Sequence, residues 1–225
     1  YLGKVADDAL GQVFAHDIRA AGVRFPSAPL AQGAPTARCL ILVTPDGQRT
    51  MNTFLGACVA FGPEDVQEAE VASAAVTYME GYLFDPPAAQ QAFYKAAKIA
   101  HAAGRQVSMT LSDSFCVGRH RAAFRAFVAD ETDILFANES ELLSLYETED
   151  FATALAAVRA EVGLAAVTRS EKGSVIVAGG ATAEVAAVPT KVVDTTGAGD
   201  AYAAGFLAAH AKGLALSLIH ISEPT

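Results

Sequence analysis

The chain is short of positive charge. Its 225 residues hold 16 Lys and Arg against 25 Asp and Glu, a net charge of -9. A nucleic-acid polymer is therefore a poor partner, because binding a phosphate backbone needs clustered cations. A single nucleotide stays open, since one loop can hold it. Cysteine is scarce too: Cys39, Cys58 and Cys116 are scattered and form no CxxC pair, which predicts neutral, unpaired thiols in a reducing compartment such as the cytoplasm. No apolar run approaches the roughly 18 residues that span a bilayer, so no membrane partner is expected. Repeats, charge blocks and low-complexity linkers are also missing.

What is present is apolar and patterned. The hydrophobic fraction is 52%, enough at this length to bury the core of one α/β domain. After Asp7 and Asp8, the residues Leu10, Val13, Phe14, Ile18 and Ala21 recur at helical spacing, with Gly22 as a stop. Arg38–Val43 and Arg49–Phe54 read as two strands joined by a Pro45-Asp46-Gly47 turn, a hairpin in a β-rich flap. Beyond Pro63, strands at about 76–79, 106–111, 134–137, 165–168 and 174–177 alternate with helices. The helices are expected at 87–103, at 115–128, from Asn138, from Asp150 and at 199–212. Such alternation predicts a parallel sheet with helices on both faces and ligands at the carboxyl ends of its strands. Residues 1–5 read as a strand already under way. The tail 217–225, SLIHISEPT, breaks the pattern and reads as non-native sequence, so His220 is set aside.

Three segments carry chemistry. The first is Val193-Asp194-Thr195-Thr196-Gly197-Ala198-Gly199-Asp200, which follows a predicted strand and opens a helix. Gly197 and Gly199 let backbone approach a ligand closely. Free N–H groups at a helix start favour an anion, and Asp200 in the first turn can take a proton from an alcohol there. An ordinary glycine turn before a helix explains GxGD equally well; the longer string is more specific. Tyr202 stands where a dinucleotide fingerprint needs its third glycine, and no GxxxxGK[ST] loop exists. The second segment, Asn138-Glu139-Ser140-Glu141, has the spacing of a capping box. The third, Thr168-Arg169-Ser170-Glu171-Lys172-Gly173, also reads as a polar turn between strands.

Taken in order, these segments resemble the ribokinase/pfkB family of carbohydrate kinases, in its adenosine-kinase-like branch. DTTGAGDAYAAGF is similar to the family's C-terminal signature, and Gly3 to Asp8 with Gly11 to its early GkVGxDxxG segment. The resemblance implies a three-layer α/β/α fold with a mainly parallel central sheet and a small β lid. Residues 1–216 would form an incomplete kinase domain, with lid segments within about 23–57. Its first strand, its acceptor-gripping Asp and its adenine-side elements are expected outside these residues, so this stretch alone is expected to be inactive.

The resemblance also implies roles. Asp200 is the base, and Gly197, Ala198 and Gly199 form an anion hole for the transferring phosphoryl group. Thr195, Thr196, Asn138, Glu141, Thr168, Ser170 and Gly173 would bind ATP, with Ser170 where the family usually has glycine. Glu141 would meet Mg²⁺ through water. Asp194 and Thr196 match positions that in some members hold a monovalent cation, here K⁺. The expected reaction moves the γ-phosphoryl group of ATP to a primary hydroxyl of a nucleoside or sugar. A ribokinase- or fructokinase-type sugar kinase and a non-catalytic nucleotide- or sugar-binding relative are the alternatives. The stretch 37–57 is closer to adenosine-kinase-like members, and Met51, Phe54, Leu55, Tyr82 and Phe84 would give a nucleoside base an apolar surface. A homodimer through the lid is a further expectation.

Other polar residues read plainly. His16, His101 and His120 lie on predicted helices without metal spacing. Ser112, Asp113 and Ser114 read as a loop or helix cap. Glu80-Gly81-Tyr82 ends a strand on the ligand side, which suggests either a helix-entry turn or a substrate role.

Overall fold

The computed structural model describes residues 1–45, 49–192 and 195–214. Asp46 and Gly47 of the predicted turn, the cation candidate Asp194 and the tail from Ser217 lie outside the described residues. The chain divides into two compact units, Tyr1–Gln67 with Asp85–Lys95, and Glu68–Phe84 with the residues from Ala96 onward. No helix among the described residues is long and apolar enough to cross a membrane.

In the first unit, Asp8 caps helix α1 (Ala9–Ala20). Asp8 Oδ1 accepts the Gly11 N–H at 2.8 Å and the Thr36 hydroxyl at 2.7 Å, while Oδ2 accepts the Thr36 N–H at 2.9 Å. Thr36 Oγ1 in turn accepts the Ala6 N–H at 3.0 Å. The Thr36 hydroxyl, followed by the Thr36 and Gly11 N–H groups, holds the Asp8 carboxyl below its ordinary value. The helical spacing of Leu10, Val13 and Phe14 is realised, yet all three side chains are exposed. Phe14 leans on Tyr1 and Phe25, with centroids 6.0 and 5.5 Å away. Period sets the face of a helix but not what covers it.

Residues 1–5 correct an expectation: they form no strand. Ala6 makes one parallel bridge to Leu30, and the Gly3 N–H goes to the Ser27 hydroxyl. The partner segment holds Pro26 and Pro29, which have no N–H to extend a ladder. The predicted hairpin does form. Strand β1 (Arg38–Val43) pairs antiparallel with β2 (Arg49–Phe54), Arg38 opposite Phe54 and Ile41 opposite Met51. In this register Leu40, Leu42 and Phe54 share one face, and Ile41, Val43 and Met51 the other. All six are exposed.

The second unit contains a six-stranded sheet. Its strands are β3 (Val76–Glu80), β4 (Gln106–Thr110), β5 (Ile134–Asn138), β6 (Leu164–Thr168), β7 (Ser174–Ala178) and β8 (Ala181–Val185), adjacent in that order. The first four run parallel, as predicted. The last two pairings are antiparallel. Only residues 169–173 link β6 to β7, and Gly179-Gly180 link β7 to β8; parallel pairing needs a crossover of a dozen residues or more. The strand expected directly before Val193 does not form, since residues 186–192 hold none; β8, short and only partly buried, lies earlier and has no counterpart among the strand ranges read from the sequence.

The helices form where expected. They are α2 (Glu68–Ser73), α3 (Pro87–Ala102), α4 (Ser114–Glu131), α5 (Glu139–Tyr146), α6 (Phe151–Glu161) and α7 (Ala198–Ala211); the sequence reading did not anticipate α2. Asp113 caps α4 and Asp150 caps α6, each with its side chain on two N–H groups. On one face of the sheet, Ile134, Phe136, Leu164, Ala166 and Ile176 pack against Ala203, Phe206 and Ala209 of α7. Leu135, Ala137, Ala165 and Val167 point the opposite way and are buried as well. The result is a three-layer α/β arrangement around a mostly parallel sheet. Phe84 is fully buried and stacks on Phe124 at 4.3 Å, so it provides no platform for a base. Met51 and Phe54 lie on opposite hairpin faces and cannot form one surface together.

The Thr36 junction yields a test of the first unit. Thr36→Val deletes a buried hydroxyl that serves both Ala6 and Asp8, and should cost about 1–3 kcal/mol. For a chain of this size that is a fall in Tm of about 2–4 °C per kcal/mol. Because the folded-state pKa of Asp8 is lowered, its contribution is complete above the ordinary value of 3.8 and is lost as pH falls through the lower folded value. Unchanged unfolding by urea in Thr36→Val would show that this junction holds nothing together.

Candidate active site

Parallel strands end at one edge of the sheet, and the next element starts there with unpaired backbone groups. At this edge stand Glu80 of β3, Thr110 of β4, Asn138 of β5 and Thr168 of β6. Asn138 lies opposite Thr168, and Thr168 opposite Ser174.

Asn138 does make the predicted capping box. Its Oδ1 accepts the Glu141 N–H at 2.8 Å. Glu141 Oε2 accepts the Asn138 N–H at 2.9 Å, and Oε1 accepts Asn138 Nδ2 at 2.6 Å. Glu141 is buried. Desolvation pushes its carboxyl up to about 7; the Asn138 N–H opposes the shift, and the Asp113 and Glu80 carboxylates add to it. Desolvation also raises Glu80, which accepts the Ser112 hydroxyl and feels the charge of Asp200. The site thus gathers carboxylates at the mouth of the sheet. Among the described residues no group of three or more His, Cys, Asp or Glu side chains could hold a metal. Glu141, with each oxygen already taking a bond from Asn138, fits an ion reached through water.

Thr168 leads into a tight turn. Ser170 adopts a left-handed conformation, φ 50, so the turn keeps the backbone that a glycine would favour, at a modest cost. Gly173 has φ 87, and a Cβ there would lie 1.9 Å from the Val185 carbonyl oxygen, so only glycine fits. A cleft of about 470 Å³ joins this turn to the α5 start; it is lined by Asn138, Glu139, Thr168, Arg169, Ser170 and Lys172, among others. Glu141 and Gly173 do not line it. Sequence reasoning missed what stiffens this cleft. Arg169 forks onto Glu139 at 3.1 and 3.2 Å and lies 4.0 Å above the Phe151 ring. Residue types alone carry no signal for that contact.

The predicted glycine turn before α7 also forms. Gly197 takes φ 71 and caps α7, with no side-chain capping bond. The Ala198 N–H reaches the Thr195 carbonyl at 3.2 Å, and the Ala201 N–H the Gly197 carbonyl at 2.8 Å. The N–H groups of Gly199 and Asp200 then have no carbonyl inside the helix to bond. A Cβ at Gly199 would meet nothing within 4 Å, and one at Gly197 would lie 3.9 Å from Asp200 Oδ2. Thr195, Thr196, Gly197, Ala198, Gly199 and Asp200 are all exposed. Asp200 and Glu80 interact through their charges, whereas Thr195 and Thr196 are not among the cleft residues.

Comparison with known proteins gives this geometry a context. The sequence profile described as "pfkB family carbohydrate kinase" matches residues 1–218. The crystal structure of adenosine kinase from Sinorhizobium meliloti superposes with a TM-score of 0.94 at 56% identity, over 98% of this chain and 68% of that one. A probable sugar kinase from Rhizobium etli gives a TM-score of 0.94 at 52% identity, over 98% and 67%. An ATP-dependent ribose-1-phosphate kinase from Halopiger xanaduensis is 32% identical over 216 residues, 92% of this chain and 65% of the relative. The chain therefore spans about two thirds of the length of these relatives.

Burial of the Glu141 carboxyl predicts a pH effect. Its folded-state pKa, about 7, lies above the ordinary 4.5, so stability is complete below 4.5 and is lost as pH rises towards 7. Glu80 shifts in the same direction. Glu141→Gln should flatten the slope of urea stability against pH across that window. A slope equal to the parent's would show that Glu141 does not titrate there.

Proposed function

Because the chain belongs to the pfkB family of carbohydrate kinases, we propose that the whole protein moves the γ-phosphoryl group of ATP to a primary hydroxyl of an adenosine-like nucleoside. The observation that carries this reading is the exposed Asp200, set directly after the left-handed Gly197 turn at the start of α7 and in electrostatic reach of Glu80. The likeness at 56% identity to a protein named adenosine kinase supports the nucleoside. Relatives named as sugar and ribose-1-phosphate kinases keep a sugar acceptor as the second reading.

In this mechanism Asp200 accepts the proton of the acceptor hydroxyl as its oxygen bonds to phosphorus and ADP leaves. The Gly197-Ala198-Gly199 turn stabilises charge on the transferring group, chiefly through the N–H groups of Gly199 and Asp200, since that of Ala198 bonds the Thr195 carbonyl. Asn138, Thr168, Ser170 and Gly173 hold the nucleotide, with Thr195 and Thr196 on the phosphate side. Glu141 would hold Mg²⁺ through water, and the ion would supply neutralisation of phosphate charge. Thr196 is assigned to a K⁺ site with Asp194. Glu80 and the exposed Tyr82 are assigned to the acceptor. Residues 1–216 are read as one incomplete kinase domain with the β1–β2 hairpin as its lid. The three unpaired cysteines support a reducing, cytoplasmic location.

The exposed apolar residues on both hairpin faces support a homodimer through the lid. Light scattering should then give a dimer that Leu40→Glu with Leu42→Glu converts to a monomer; a monomeric parent protein rejects the lid dimer. The reaction is tested in the enzyme with its native flanking sequence. Asp200→Asn should keep its Tm and its ATP affinity while kcat falls by about 100- to 10,000-fold. In competition, kcat/KM for adenosine should exceed those for ribose and fructose. Near-normal turnover of Asp200→Asn removes the base assignment, and a preference for a free sugar removes the nucleoside.

A further inference from the structure

Tyr202 follows Asp200 by two residues on α7, and the mechanism above makes no use of it. Its ring stands edge-on to Phe136, 6.5 Å between centroids, and lies 6.3 Å from Phe206. Its hydroxyl donates to Ser174 Oγ at 3.0 Å. Ser174 is buried, starts β7 and directly follows Gly173 of the nucleotide turn. Ser174 lies opposite Thr168, and Thr168 opposite Asn138. One row of residues across three strands therefore carries Asn138, Thr168 and Ser174, and the Tyr202 hydroxyl is fastened to its end.

Gly197 offers no side-chain cap, Gly199 has open space around it, and Asp200 is exposed. The inward residues Ala203, Phe206 and Ala209 are apolar and pack the helix on the sheet, and two turns further on His210 Nε2 meets Gln106 Oε1 at 2.8 Å. A hydrogen bond is directional. Among the described residues, the Tyr202–Ser174 bond ties the start of α7 to the residue that directly follows the Thr168–Gly173 loop, and so can hold the two at one angle.

We propose that Tyr202 is a positioning residue for Asp200: its hydroxyl, bound to Ser174, sets where the base stands relative to the nucleotide turn. The proposal rests on the phosphotransfer reading and adds a residue to it. A misplacement of about 1 Å can be costly in a reaction that depends on alignment, so the loss should fall on kcat and leave ground-state binding alone.

The experiment uses the enzyme with its native flanking sequence. Tyr202→Phe keeps the ring and removes one oxygen; Ser174→Ala removes the acceptor. Each should lower kcat about threefold to tenfold, with KM for ATP and acceptor within about twofold and Tm nearly unchanged. The double variant should be no worse than the poorer single variant, because both changes break one bond. Ser174→Thr, which restores a hydroxyl, should recover most of the rate. Unchanged kcat in Tyr202→Phe overturns the proposal, even where Ser174→Ala fails to fold. Losses that multiply in the double variant overturn it as well. A parent enzyme without ATP-dependent phosphorylation overturns the phosphotransfer reading and this inference with it. An active parent beside an unaffected Tyr202→Phe rejects this inference alone.

Discussion

Helix α7 can present Asp200 at the rim of the sheet because its other side is buried. Ala203, Phe206 and Ala209, spaced i, i+3 and i+6, press on Ile134, Phe136, Leu164, Ala166 and Ile176. Burying a side chain the size of Phe206 contributes about 1.5–3 kcal/mol, and its edge-on contact with Phe136 at 5.3 Å adds to that. Small alanines on either side of the phenylalanine let the helix lie close. The first turn then projects past the packed region, and Gly197, Ala198, Gly199 and Asp200 are exposed.

That arrangement creates an electrostatic problem which the surrounding residues share. Glu80, Glu141 and Asp200 are carried to one region by three different elements, and the raised pKa values of Glu80 and Glu141 record the cost of desolvation and mutual repulsion. Positive partners on the protein sit elsewhere: Arg169 is committed to Glu139, and Lys172 lies 3.8 Å from the same carboxylate.

The Thr168–Gly173 turn shows how backbone and side chain divide the work. Gly173 is required by the Val185 carbonyl behind it. Ser170 holds a left-handed conformation that most residues avoid. The bidentate Arg169–Glu139 pair, resting on Phe151, ties this turn to the starts of α5 and α6. Planar fork geometry makes arginine suited to that task in a way lysine is not.

Much of this was readable from residue order. Period and punctuation located the four parallel strands and most helices. Asp113 and Asp150 announced helix starts, and the Asn138–Glu141 spacing announced the capping box, because each depends on neighbours three or four residues apart. The Gly197–Asp200 turn was equally local. Contacts between residues distant in sequence were not readable: the burial of Phe84 against Phe124, the split of Met51 and Phe54 between hairpin faces, the Arg169 fork and the Tyr202–Ser174 bond. Residues 1–5 and β8 show the same limit, since a strand exists only when a second strand offers matching N–H and C=O groups. The sequence by itself determined the helix caps, the obligatory glycines and the order of the elements, all short-range matters of dihedral angle and hydrogen bonding. Only the tertiary structure decided which carboxylates crowd together and which hydroxyl of α7 meets Ser174, because those depend on distances that folding alone makes short.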